Sequence, residues 1–182
     1  KILPQMKLKN FQQKFPYKNL VHFEASALSF NKTELKNNRI SFNEILFSQP
    51  KLTLFESKMK KKRSKKTLPY ELDLKNVIFQ NAQFDLKDFD GKQKLSVKNI
   101  NASINDFLVN EETIKGKIPF SCKNYSVKTG DILFKVNEFY HLKMSELLAS
   151  KEGWRFSNFS MLPLLSRQEF NRRIKTEKDW YH

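Results

Sequence analysis

Two alternate apolar residues, a two-residue slip and two further alternate apolar residues recur along this chain. The pattern reads Ile40, Phe42, Ile45, Phe47, then Leu72, Leu74, Val77, Phe79, then Leu95, Val97, Ile100, Ala102. Weaker copies follow at Phe134, Val136, Phe139, His141 and at Trp154, Phe156, Phe159, Met161. Alternation with period two marks a strand with one buried face, and repetition of one strand unit points to an extended sheet. Every slip holds an asparagine: Asn43, Asn76, Asn99, Asn137 and Asn158. We expect a bulge or tight offset there, since one extra residue returns the next apolar pair to the original face and Asn tolerates a left-handed backbone. The first two copies match further, with Pro50, Leu52 and Leu54 falling against Ala82, Phe84 and Leu86 at a constant offset of 32 residues. Each unit reads as a pair of strands about a short polar break. Any sheet with one wet face spells itself in a similar way, so duplication and a plain half-buried sheet both stay open.

A chain of 182 residues fits a single domain, read here as one β-rich unit over 1–182 excised from a longer chain. Its 17 phenylalanines argue against disorder, and a mean hydropathy of −0.63 with no long uncharged apolar run argues against a membrane-spanning helix. The single cysteine, Cys122, allows no internal disulfide. The net charge of +15 favours phosphate-bearing partners such as anionic lipid, lipopolysaccharide or nucleic acid. Its densest stretch lies in a basic loop at 57–68 that includes Lys60, Lys61, Lys62 and Arg63. These four are the candidate head-group residues, by non-specific attraction to phosphate. The same stretch also reads as a solvated linker.

Leu8, Phe11 and Phe15 are spaced for a short amphipathic helix over about 5–15, ended by Pro16. A strand follows from about Asn19 to Phe30. Asp88 to Gly91 reads as a hairpin turn, Ile118 and Phe120 as an edge or short strand about Pro119, and Gly130–Asp131 as a turn into Ile132–Phe139. Ser145 can cap a short helix over Glu146–Ser150. Ser166 and Glu169 form a capping box that opens a C-terminal helix, 166–176, with Phe170 and Ile174 facing the sheet. The fold class expected is therefore mainly β: an extended, curled antiparallel sheet of repeated strand pairs with two or three short helices packed at the ends.

Catalytic chemistry is not legible. His22, His141 and His182 lie outside metal-ligand spacing of one another and of Cys122, and His141 fills an apolar slot as a packed aromatic. The four glycines are too scattered for a phosphate-cradling loop or a nucleophile elbow. The reading is a non-enzyme without cofactor or metal. The Asn-x-Ser/Thr triplets at Asn31, Asn101, Asn124 and Asn158 are expected by composition and are not read as glycosylation sites.

The run from Ile40 to Phe55, the lysine-rich loop and the run from Leu72 to Leu86 together resemble the AsmA-like proteins. The stretch from Trp154 to Trp180, with a strand, Pro163, a capped helix and an Asp-Trp pair, is similar to AsmA-like proteins of the Bacteroidetes type. The resemblance implies a periplasmic β-groove, apolar within, hung from the inner membrane of a Gram-negative cell by a segment lying outside this sequence. It also implies a non-catalytic role in outer-membrane assembly or intermembrane lipid transport, with lipid or other envelope proteins as partners. Phe42, Phe47, Phe79, Phe84, Leu95 and Val97 are the candidate groove residues. A face so lined must be covered, folded on itself or lent to acyl chains. The alternatives are a structural or protein-binding envelope domain that pairs through strand edges, and a basic nucleic-acid module. The latter is disfavoured because the aromatics alternate with polar residues rather than clustering for stacking.

Overall fold

The computed structural model describes residues 2–14, 21–56 and 69–174. Alternation on this scale leaves few options but strand, and the described chain runs β1 (Ile2–Lys14), β2 (Val21–Lys36), β3 (Arg39–Ser48), β4 (Lys51–Phe55), β5 (Glu71–Lys87) and β6 (Gln93–Val109). It continues through a single 3-10 turn at Thr113–Lys115 into β7 (Asn124–Lys128), β8 (Ile132–Lys135), β9 (Tyr140–Met144), β10 (Glu146–Ser150), β11 (Gly153–Ser157) and β12 (Ser160–Pro163). The helix α1 (Arg167–Ile174) closes the described region. All the strands join one sheet.

Several short strands are halves of longer ones. β3 and β4 lie end to end along β5 in one register, Ile40 beside Leu72 and Leu54 beside Leu86. β7 and β8 share one register along β6, β9 and β10 along β8 and β7, and β11 and β12 along β10 and β9. The sheet is therefore eight long strands wide, in the order β1, β2, β3–β4, β5, β6, β7–β8, β9–β10, β11–β12.

The breaks line up across the sheet. Gln49, Asn81, Asn99 and Asn158 all carry left-handed backbone, with φ between 49° and 52°. The Asn81 amide is held by Asn101 Oδ1 at 3.1 Å. Beside Asn99 runs Gly130, whose amide donates to Lys98 O at 2.8 Å and where a Cβ would stand 3.2 Å from the Asn99 side chain. A second row passes through Lys32 and Asp106, with φ of 48° and 49°, at the level of the slips in β3 and β5. A left-handed step resets which face the next side chain takes. A lone step would put its strand out of phase with both neighbours, so steps persist only as rows. Replacing Asn99 by Val forces a β-branched residue into this conformation and should cost about 1–2 kcal/mol, while Asn99→Gly should cost much less, both read from urea midpoints.

The architecture is mainly β, as the alternation implies, but three expectations are corrected. The sheet is mixed rather than antiparallel: the two repeat copies, β3–β4 and β5, lie side by side and parallel. The 32-residue spacing in the sequence thus became the register offset in space, so like positions stack on like. The expected helix over 5–15 is strand β1, Leu8 pairing with Leu28 and Phe11 with Ala25. Helical spacing of three apolar residues is a local preference, and the long open edge of β2 outweighs it. The expected helix over 146–150 is strand β10, since five residues cannot offset the cost of helix nucleation and both neighbours offer ladder bonds. Among the described residues α1 is thus the one α-helix, in place of two or three.

Smaller features also differ. The slip asparagines do not share one role. Asn99 and Asn158 are left-handed. Asn76 instead links the polar face, donating to Glu44 Oε2 at 3.4 Å and accepting from Ser103 Oγ at 3.4 Å. Asn137 makes a hairpin turn by accepting the amides of Phe139 and Tyr140 at 2.8 and 3.0 Å, so the fourth copy of the pattern is two strands and a turn. Ile118 and Phe120 form no strand, though the next residue, Ser121, bridges to Leu108. The Asp88–Gly91 hairpin is present, with Asp88 Oδ1 accepting the amides of Asp90 and Lys92 and Gly91 at φ 81°.

At the start of α1 the Ser166 hydroxyl accepts the Glu169 amide at 3.3 Å. The Glu169 carboxylate turns instead to Arg172 at 2.8 Å and Arg173 at 3.1 Å, and these hydrogen bonds hold its pKa below the ordinary glutamate value. A lowered folded pKa means this contribution is complete above the unfolded value and is lost as pH falls through the folded one. An NMR titration of the Glu169 carboxyl should therefore show a midpoint below that of an unstructured glutamate. Phe170 docks edge-on to Phe139, ring centroids 5.6 Å apart, and fixes the helix to the β8–β9 turn. The side chain of Ile174 and residues 175–176 lie outside the described residues.

Candidate functional site

Direct partners on neighbouring strands point to the same face, so one apolar residue per strand becomes a ladder across the sheet. One ladder runs Val21, Leu54, Leu86, Leu95, Phe134, Leu142, Met161, from β2 to β12. The next runs Phe23, Leu52, Phe84, Val97, Ile132, Met144. Beyond the row of steps a third runs Leu8, Leu28, Phe47, Phe79, Ala102, Val127, Ala149, Trp154. The Phe23 and Phe47 rings meet edge to face at 6.0 Å across that row, which joins the ladders into one surface.

All six candidate groove residues lie on this surface. Phe42, Phe47 and Phe79 pack around the buried Leu28, Ile45, Leu74 and Val77, and Phe47 stacks on Phe79 with centroids 4.8 Å apart. Phe84 and Val97 sit in the second ladder and Leu95 in the first. The candidate head-group residues Lys60, Lys61, Lys62 and Arg63 lie outside the described residues. Their segment joins Phe55, beside Lys87, to Glu71, beside Arg39, at opposite ends of one parallel pair.

The surface changes character along its length. Toward β2–β5 the rings cover one another, whereas toward β8–β12 Phe134, Trp154, Phe156, Phe159 and Met161 are exposed. No large side chain is fully buried among the described residues. Every described strand belongs to the one sheet and α1 sits at Phe139 and Tyr140, so no separate layer of described residues covers this face.

The opposite face is polar and internally satisfied. Buried Asp73 is bridged by Arg39 and by Lys75 at 3.4 Å, and buried Asp85 accepts from Gln83 at 2.7 Å and Gln93 at 3.1 Å. His141 belongs here, opposite Lys135 and one residue out of phase with the apolar Leu142, rather than in an apolar slot. Leu142 and Ile132 were not singled out by the sequence, because only the register shows that they extend the ladders. Among the described residues no three His, Cys, Asp or Glu side chains gather to hold a metal, and no helix is long and apolar enough to cross a membrane. The chemistry this surface offers is apolar contact over a long strip, with Tyr125, the partner of Ile104, bringing a hydroxyl to the same face.

No protein-family model matches the chain, and no curated protein matches it significantly.

Proposed function

We propose that this chain is a non-catalytic lipid-handling domain of a bacterial envelope, working in the periplasm in the manner of the AsmA-like proteins it resembles. The observation that supports this reading is the set of apolar ladders on a face that no described layer covers, one of which runs without interruption from β2 to β12. A closed core would need only patches of apolar residues under each covering element. A strip continuous across the strands suits a long acyl chain laid over them. Each methylene removed from water contributes about 0.8 kcal/mol, so ten of them suffice for firm binding with no polar recognition. The excess of positive charge favours lipids with phosphate in the head group.

Native mass spectrometry of the protein purified gently from envelopes tests this directly. Phospholipid-mass adducts that survive desalting are the expected result. A protein that carries no lipid, and takes up none from phosphatidylglycerol vesicles, would leave the structural alternative standing.

A further inference from the structure

The last strand of the sheet carries a pattern that reads the same from either end. Its apolar residues are Trp154, Phe156, Phe159 and Met161, spaced two, three and two apart, and they are 75%, 58%, 57% and 53% exposed. The spacing is symmetric about the point between Ser157 and Asn158. On the inner side the Ser157 carbonyl accepts from the Ser145 amide at 3.1 Å, and the Leu164 amide donates to Phe139 O at 2.8 Å. Backbone groups alternate in direction along a strand, so the amides and carbonyls of Trp154, Phe156 and Met161 point away from the sheet. Among the described residues no strand pairs with them.

We infer that this edge is self-complementary and pairs antiparallel with the same edge of a second copy, about a two-fold axis between Ser157 and Asn158. Trp154 then stands opposite Met161 of the other copy, a pair of residues whose free backbone groups face one another, and Phe156 stands opposite Phe159. Both pairs lie on the apolar face, because Trp154 continues the ladder through Ala149 and Met161 the one through Leu142. The left-handed Asn158 falls one position from its counterpart, so the row of steps passes through the axis. Arg155 meets Ser160, which places no like charges opposite each other.

The β11–β12 edge carries little that would blunt it, with one charge, Arg155, and its proline only at the far end. An isologous pair closes on itself and leaves the β1 edges at the two ends of a doubled sheet. The inference rests on backbone direction and spacing and is independent of lipid binding.

Sedimentation velocity on the 182-residue chain should show a dimer at about 100 μM. Phe156→Pro removes one outward amide while keeping the inner ladder, and should give a folded monomer by circular dichroism. If that variant fails to fold, Arg155→Cys with Ser160→Cys in a Cys122→Ser background decides the matter. Oxidation should link two chains and no more, whereas the register-shifted pair Arg155→Cys with Leu162→Cys should stay unlinked. A monomer at the top concentration, a ladder of larger species, or cross-linking only of the shifted pair would overturn the pairing.

Discussion

Val77→Asp is expected to destabilise the protein by about 3–5 kcal/mol, enough to unfold many domains outright. Val77 is 5% exposed at the centre of the cluster formed with Leu28, Ile45 and Leu74, and its partners in the ladder are Ile45 and Ile104. A carboxylate there has no cation within the ladder and must either remain charged in an apolar setting or bind a proton. Its pKa in the folded state would rise, so the penalty should relax as pH falls below the ordinary aspartate range and grow above it. Val77→Ala should cost only about 2 kcal/mol, by lost contact alone. Gln80→Asp, exposed and one residue from Phe79, should change stability by about 0.5 kcal/mol or less. Urea unfolding followed by tryptophan fluorescence reads all three. Equal costs at 77 and 80 would mean that the alternation in β5 does not separate a buried face from an exposed one.

Phe134→Glu with Met161→Glu should abolish most lipid loading while leaving the fold intact. Both residues lie in the ladder that ends at β12, with Leu142 between them, and they are 39% and 53% exposed. Their exposure means the carboxylates remain solvated, so the stability cost should be about 1 kcal/mol or less. Where an acyl chain crosses them, it loses contact with roughly four methylenes, about 3 kcal/mol, or on the order of a hundredfold in affinity. Lipid adducts in native mass spectra, compared with those of the unaltered chain, measure the loss. The control is a pair of glutamates on the polar face, Leu133→Glu with Lys143→Glu, partners in the adjacent ladder rung. If both pairs lower loading equally, charge rather than the apolar strip governs the interaction.

The alternation in β3, β5 and β6 was legible because each apolar residue there is dictated by which way its own Cβ points, a property of the strand alone. The 32-residue repeat was legible too, and it foretold register better than direction. Ile40 meets Leu72 and Leu54 meets Leu86 as the spacing implies, yet the two copies run parallel rather than antiparallel. The slips misled in part. Asn43 and Asn76 mark a level at which the left-handed residues belong to the neighbours, Lys32 and Asp106. Nothing in a lysine announces that conformation, and an aspartate tolerates it without demanding it. Gln49 likewise bends its strand because Asn81, its neighbour at the same level, does. Of the candidate surface, Leu142 and Ile132 could be found only by following hydrogen-bonded partners from strand to strand.

By itself the sequence determined that this chain forms long, half-apolar strands with periodic resets of phase, since alternation and the asparagine steps act within a few residues. The tertiary structure decided which strands lie side by side, that β1 and β10 extend rather than coil, and that the steps fall into rows. Those outcomes depend on the open backbone edge each strand offers its neighbour, and an edge belongs to two segments distant in sequence.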